Sequence, residues 1–190
     1  GAGKTTHTYG LLRRPEARAV SDDWFYARIY GDDILAYGSE KNFYIRADLS
    51  EIWKEFSDLA DHAIFDEEGR GVVDLRWAIG KGRILPLTTL CMVIILKQDP
   101  EDEDITRRLA PDEALKILEE NGYYNPHLLV RSEFKRGLRS GFFRALFTRV
   151  PVFMVNTIKP PDVGQRAIGE LIYQGLRTSA KVAEGRRIGD

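Results

Sequence analysis

Gly1-Ala2-Gly3-Lys4-Thr5-Thr6 opens the chain, and the reading of the fold turns on it. The stretch matches the second half of the phosphate-binding loop G-x-x-x-x-G-K-[ST]. Glycines there let consecutive backbone N–H groups converge on phosphate oxygens that a side chain would hold away. A helix starting near Lys4 points its positive dipole end at the same oxygens. In this pattern Gly1, Ala2, Gly3, Lys4, Thr5 and Thr6 form the nucleotide-phosphate site. Lys4 bridges the outer phosphates, and Thr5 offers its hydroxyl to Mg²⁺. The first glycine of the pattern and the strand that ordinarily delivers it do not precede Gly1, so the sequence reads as truncated at its N-terminus.

The next segment supports this reading. Thr6 to Arg14 forms a short helix stopped by Pro15, and Arg18-Ala19-Val20-Ser21 is a short β-like run ending in Asp22-Asp23-Trp24. Two carboxylates at a strand end just past such a helix reach a phosphate-bound magnesium.

Further on, Ile29-Tyr30 and Ile34 to Tyr37 flank Gly31-Asp32-Asp33 as a hairpin, and Asn42 to Arg46 alternates as a strand with one buried face. Helical spacing of Ile52, Trp53, Phe56, Leu59 and Ala60 predicts one helix from Leu49 to Ala60, with Trp53 in the core. Ala63 to Phe65 and Gly71 to Leu75 are strand candidates around the turn Asp66 to Gly69. Leu87 to Lys97 reads as the strongest strand, covered on both faces, with Cys91 packed inside it. Asp99 to Asp104 reads as a solvated acidic loop. Pro111 opens a helix that Asn121-Gly122 closes, and Tyr123 to His127 follows as a loop. Phe142 to Phe147 reads as helix and Val150 to Val155 as strand, and Asp162 caps a last helix from Val163 to Leu176. Hairpin signals among alternating helices and strands predict an α/β fold with a mixed, partly antiparallel sheet.

Composition narrows the function. Apolar residues at 43% support a core, and 30% charged residues with a net charge of −1 argue against a disordered chain. No apolar run reaches membrane-spanning length, and one cysteine excludes an internal disulfide framework. The charge is uneven: residues 1–130 carry −8 and residues 131–190 carry +7. A general nucleic-acid binder is therefore not expected, whereas a basic last third suits phosphates. His7, His62 and His127 share no metal-ligand spacing.

Taken together, these segments resemble the P-loop branch that contains HPr serine kinase/phosphorylase and phosphoenolpyruvate carboxykinase, and most closely its archaeal-type kinases. Only seventeen residues separate Lys4 from Asp22, and Ser21-Asp22-Asp23 stands where HPr kinases have Ala-Asp-Asp after a short helix and strand. Trp24 sits beside the pair, as a tryptophan does in carboxykinases. Glu68-Gly69-Arg70-Gly71-Val72-Val73-Asp74-Leu75-Arg76 is similar to the HPr-kinase signature E-I-R-G-L-G-I-I-D-V-R, with the arginine displaced by one place and a glycine missing. The likeness covers the first hundred residues, a nucleotide-binding core, and leaves 101–190 as a helical, basic portion of the same single domain.

The resemblance implies a P-loop fold and cytoplasmic, ATP- and Mg²⁺-dependent phosphoryl transfer to a hydroxyl. It gives Asp22 the role of general base and Asp23 that of metal partner with Thr5. Arg70 and Arg76 become candidates for stabilising the transferred group, or else surface arginines paired with Glu67 or Asp74. The acceptor is a small molecule or a protein serine, with a small polyol or amino-acid hydroxyl expected; no nucleic acid or membrane partner is expected, and family members assemble as hexamers. The stretch Arg131 to Arg149 reads as a packed helix with an arginine-lined edge suited to an anionic small molecule. A carboxykinase-like reaction and a nucleotide-binding regulatory module are the alternatives.

Overall fold

The computed structural model describes residues 2–40, 42–122 and 129–187, with side chains as far as residue 177. Gly3, in the left-handed conformation at φ 83°, opens helix α1 (Lys4–Leu12), which ends before Pro15. The expected β-like run after it is reduced to a single parallel bridge, Ala19 to Ile84. Strands β1 (Phe25–Tyr30) and β2 (Asp33–Gly38) form the expected hairpin, with Gly31 at φ 59° in its tight turn. Strand β3 (Phe43–Arg46) buries Phe43 and Ile45 and exposes Tyr44 and Arg46.

The single helix expected from Leu49 to Ala60 is broken. It runs as α2 (Leu49–Ile52), a 3₁₀ turn (Lys54–Phe56) and α3 (Ser57–Asp61), because Trp53 adopts an extended backbone at φ −127° and ψ 93°. That departure carries the indole under α1, where its N–H donates to the Thr6 carbonyl at 2.8 Å. Trp53 is core, as its spacing predicts.

Strand β4 (Arg70–Val73) pairs antiparallel with β3, and α4 (Leu75–Ile79) follows. Of Ala63 to Phe65 only Phe65 bridges to Gly71, and Ile64 is exposed. The long apolar run Leu87 to Lys97 is not one strand but two: β5 (Leu87–Thr89) joins β2, and β6 (Val93–Lys97) enters another sheet. Between them Cys91 is exposed rather than packed. Hydrophobicity alone marks both halves as strand and is silent on which partner each half finds.

Strand β7 (Thr106–Leu109), helices α5 (Pro111–Glu120) and α6 (Glu133–Arg149), strand β8 (Val152–Asn156) and helix α7 (Pro161–Arg187) complete the order. Pro111 stands at the start of α5, and Gly122 follows it at φ 67°, as its sequence predicts. The expected loop Tyr123 to His127 lies outside the described residues. Helices α6 and α7 are longer than their local signals, and Asp162 lies in the first turn of α7, bound to Arg166, rather than capping it. The acidic loop is tied down: Lys97 pairs with Asp99 and Asp102, and the Asn156 amide donates to the carbonyls of both.

The architecture is α/β with mixed sheets. Strand β8 lies between β6, parallel to it, and β7, antiparallel. One face of this sheet packs against α5, α6 and the β1–β2 hairpin through Val152, Met154, Leu115, Leu146 and Ile34. The other face packs against α7 through Val155, Ile168 and Leu171, with Leu11 of α1 beside them. A separate core beneath α1 joins Tyr9, Phe43, Ile45, Trp53, Phe56 and Leu75.

Candidate functional site

The carboxyl ends of the parallel strands β6 and β8 set the position of the loop. The Thr157 hydroxyl, just past β8, lies 2.9 Å from the Ala2 carbonyl and 3.0 Å from the Lys97 carbonyl at the end of β6. Open α/β sheets bind ligands at this end. A Cβ on Gly3 would meet the His7 ring at 3.3 Å, and one on Gly164 of α7 would meet it at 2.8 Å. Helix α1 and α7 thus approach each other across His7, whose Nδ1 lies 3.2 Å from the Gln165 side-chain oxygen.

Burial holds the His7 imidazole below its ordinary value of 6.5, against the smaller upward pull of Gln165. A lowered folded-state value means that the unfolded chain takes up the proton first as pH falls. We expect stability to decline from about pH 6.5 downward and to level off below the lowered value. His7→Asn, which cannot titrate, should remove this part of the acid slope in unfolding measured from pH 7.5 to 5, whatever it costs in absolute stability.

Lys4, in the first turn of α1, meets both carboxylates: its ammonium is 2.7 Å from Asp22 Oδ1 and 2.6 Å from Asp23 Oδ1. Partial burial pulls its pKa down, but the bonds to Asp22 and Asp23 outweigh that, and the net shift is upward. The aspartates differ sharply. Asp22 is 2% exposed, with Oδ2 accepting the Tyr44 N–H at 2.8 Å, whereas Asp23 is 41% exposed. Lys4 therefore covers the remaining face of Asp22, and Asp23 stands in the open.

Glu40 builds the turn that presents them. One of its carboxylate oxygens accepts the backbone N–H groups of Asp22, Asp23 and Trp24 at 3.2, 2.7 and 3.1 Å, and the Ser21 hydroxyl at 3.3 Å. No motif marks Glu40 in the sequence; the hairpin register alone returns it to the Asp pair. Glu40→Ala should cost about 2 kcal/mol of stability by stranding these donors, while Glu40→Gln, which keeps an acceptor oxygen, should cost less than half as much. Chemical denaturation of the two variants checks the order.

Two clefts meet at Asp23. The polar one, about 490 Å³, is lined by Thr5, Asp23, Tyr44, Arg46, Asp66 and Arg70 among others. The other, about 890 Å³ and largely apolar, has Lys4 and Asp23 at one end. Arg70 thus faces the same space as Thr5 and Asp23, held by Asp66 at 3.3 Å and Glu68 at 2.9 Å rather than by Glu67. Arg76 forks onto Asp74 at the start of α4 and is absent from the lining of both clefts. Ala2 and Thr6 lie with the loop and the first turn of α1, and Gly1 lies outside the described residues.

The fit to a phosphate-bound magnesium can be tested on this donor set. Among the described residues no group of three His, Cys, Asp or Glu side chains is disposed around a metal position. A magnesium ion shared with phosphates needs only one or two protein ligands, and the Thr5 hydroxyl and Asp23 carboxylate share one cleft. Gly3 opens α1 at a positive φ that favours glycine, and the backbone N–H groups of the first turn that follows have no intrahelical acceptor. The residues present fit the group.

Set against known proteins, the chain matches no family model, no curated protein and no solved structure at a significant level. Among the described residues no helix is long and apolar enough to cross a membrane.

Proposed function

We propose that this protein is a cytoplasmic P-loop kinase, transferring the terminal phosphoryl group of ATP, with Mg²⁺, to a hydroxyl acceptor. The observation that carries the reading is the convergence of Lys4, at the mouth of a helix opened by a left-handed glycine, on the carboxylates of Asp22 and Asp23. Separated by 17 residues in the chain, these groups meet at the carboxyl end of a parallel strand pair.

Mg·ATP, when bound, supplies the transferable group and a cation that offsets its charge. Gly3 and the first-turn N–H groups of α1 would bind phosphate oxygens, and Thr5 with Asp23 would hold the metal. With that group bound, Lys4 would turn its ammonium from the carboxylates to the phosphates, which would uncover Asp22 Oδ1, still oriented by the Tyr44 N–H, to accept the proton of the acceptor hydroxyl. Arg70 lines the polar cleft as a further cation for the transferred group. Arg76, committed to Asp74, is a structural partner of α4 in this reading.

The test is magnesium-dependent ADP formation on addition of candidate alcohols. ADP release that rises with an alcohol and stops on chelation of Mg²⁺ supports the reading; tight ATP binding with no turnover on any acceptor favours the regulatory-module alternative.

A further inference from the structure

We propose that the larger cleft is the acceptor pocket, and that it takes a small amphipathic alcohol: an apolar or aromatic body with one anionic group held by Arg139. The inference rests on the phosphoryl-transfer reading and names the substrate class for that site. The cleft runs from Lys4 and Asp23 between the start of β1 and helix α6, and its walls include Trp24, Phe25, Phe142 and Phe143. Its volume of about 890 Å³ suits a small organic molecule. A polyol would set its hydroxyls against these rings without partners, so the walls select an apolar body.

Charge narrows the class further. On α6, Arg144 binds Asp112 and Arg149 binds the Ala145 carbonyl. Arg139 lies half-buried in the cleft wall, and among the described residues it has no carboxylate or carbonyl partner. A guanidinium in an apolar wall is complementary to a carboxylate, sulfonate or phosphate on the ligand. The metal side of the nucleotide belongs elsewhere: Thr5, Arg46 and Arg70 line the polar cleft on the other side of Asp23 and are absent from this one, while Lys4 lines this cleft and not the polar one, beside Asp23. Asp23 lines both clefts and Asp22 neither, so donor and acceptor sides meet at Asp23, with Asp22 behind Lys4.

The test uses two fluorescent probes with one ring system, the anionic 8-anilinonaphthalene-1-sulfonate and the uncharged N-phenyl-1-naphthylamine, titrated into the protein with and without Mg·ATP. The sulfonate probe should bind, Arg139→Gln should weaken it on the order of tenfold, and Arg139→Lys should recover part of the loss. The uncharged probe should change by less than about twofold, since it lacks the group that Arg139 recognises. Saturating Mg·ATP should leave both titrations in place. Absence of sulfonate binding, or equal effects of Arg139→Gln on the two probes, overturns the anion pocket. Competitive displacement by Mg·ATP overturns it in favour of a nucleotide-base site. Failure of Mg·ATP to bind at all removes the phosphoryl-transfer reading and the acceptor role with it, whereas loss of the Arg139 effect alone leaves that reading intact.

Discussion

Replacement of Lys4 by alanine is expected to lower phosphoryl transfer by about 10³-fold, roughly 4 kcal/mol in the barrier. Among the described residues the ammonium is the only cation within 3 Å of both aspartates, and it sits in the first turn of α1, where phosphate oxygens would be bound. Its loss also leaves the Asp22 carboxylate, 2% exposed, with the Tyr44 N–H as its remaining bond. Because Lys4 itself is half-exposed, the accompanying loss of stability should be modest, about 1 kcal/mol. Lys4→Met keeps the aliphatic stem and should lose transfer equally, which separates charge from packing.

Asp22→Asn tests the other half of the pair. The amide oxygen can still accept the Tyr44 N–H, so the turn should persist, while the proton acceptor is gone. Transfer should fall about 10²-fold, in turnover more than in ATP affinity. A fall of less than about threefold, or 0.7 kcal/mol, removes Asp22 from the proton-accepting role, with steady-state kinetics on the best acceptor as the measurement.

The largest expected loss of stability belongs to Trp53→Ala, about 3–5 kcal/mol. The indole is 6% exposed, donates to the Thr6 carbonyl at 2.8 Å and carries the Arg13 guanidinium 4.5 Å over its ring. It is therefore a floor for α1 as well as a core residue, and its loss opens a cavity beneath the helix that bears Lys4 and Thr5. Trp53→Phe keeps most of the volume and gives up the hydrogen bond, and should cost about 1–2 kcal/mol. Urea unfolding midpoints measure both. A loss below about 1 kcal/mol for Trp53→Ala, less than even a favourable cavity collapse leaves, would show that α1 does not depend on this support.

Several elements were legible because their signals are local. The hairpin about Gly31, the alternating strand Phe43–Arg46 and the proline start and glycine stop of Pro111–Glu120 depend on backbone freedom and on side-chain periods of two or 3.6 residues. Lys4, Thr5 and the Asp pair stand out in the sequence for the same reason, as residue types at a set spacing. The splitting of Leu87–Lys97 between two sheets, the break at Trp53 and the exposure of Cys91 were not legible, since each is decided by a distant partner.

The chain's own order of residues determined that a glycine and a lysine would open a short helix, and that two adjacent carboxylates would follow 18 and 19 residues after the lysine. Chemistry of that kind is carried by neighbours in sequence. Only the tertiary structure decided that Asp22 would be buried and Asp23 open, that Glu40 would gather the turn, and that Arg70 would face Thr5 while Arg76 turned to Asp74. The physical reason is that burial and pairing are settled by residues many positions apart, and a charge becomes part of a site only when such packing leaves it without a partner or gives it a shared one.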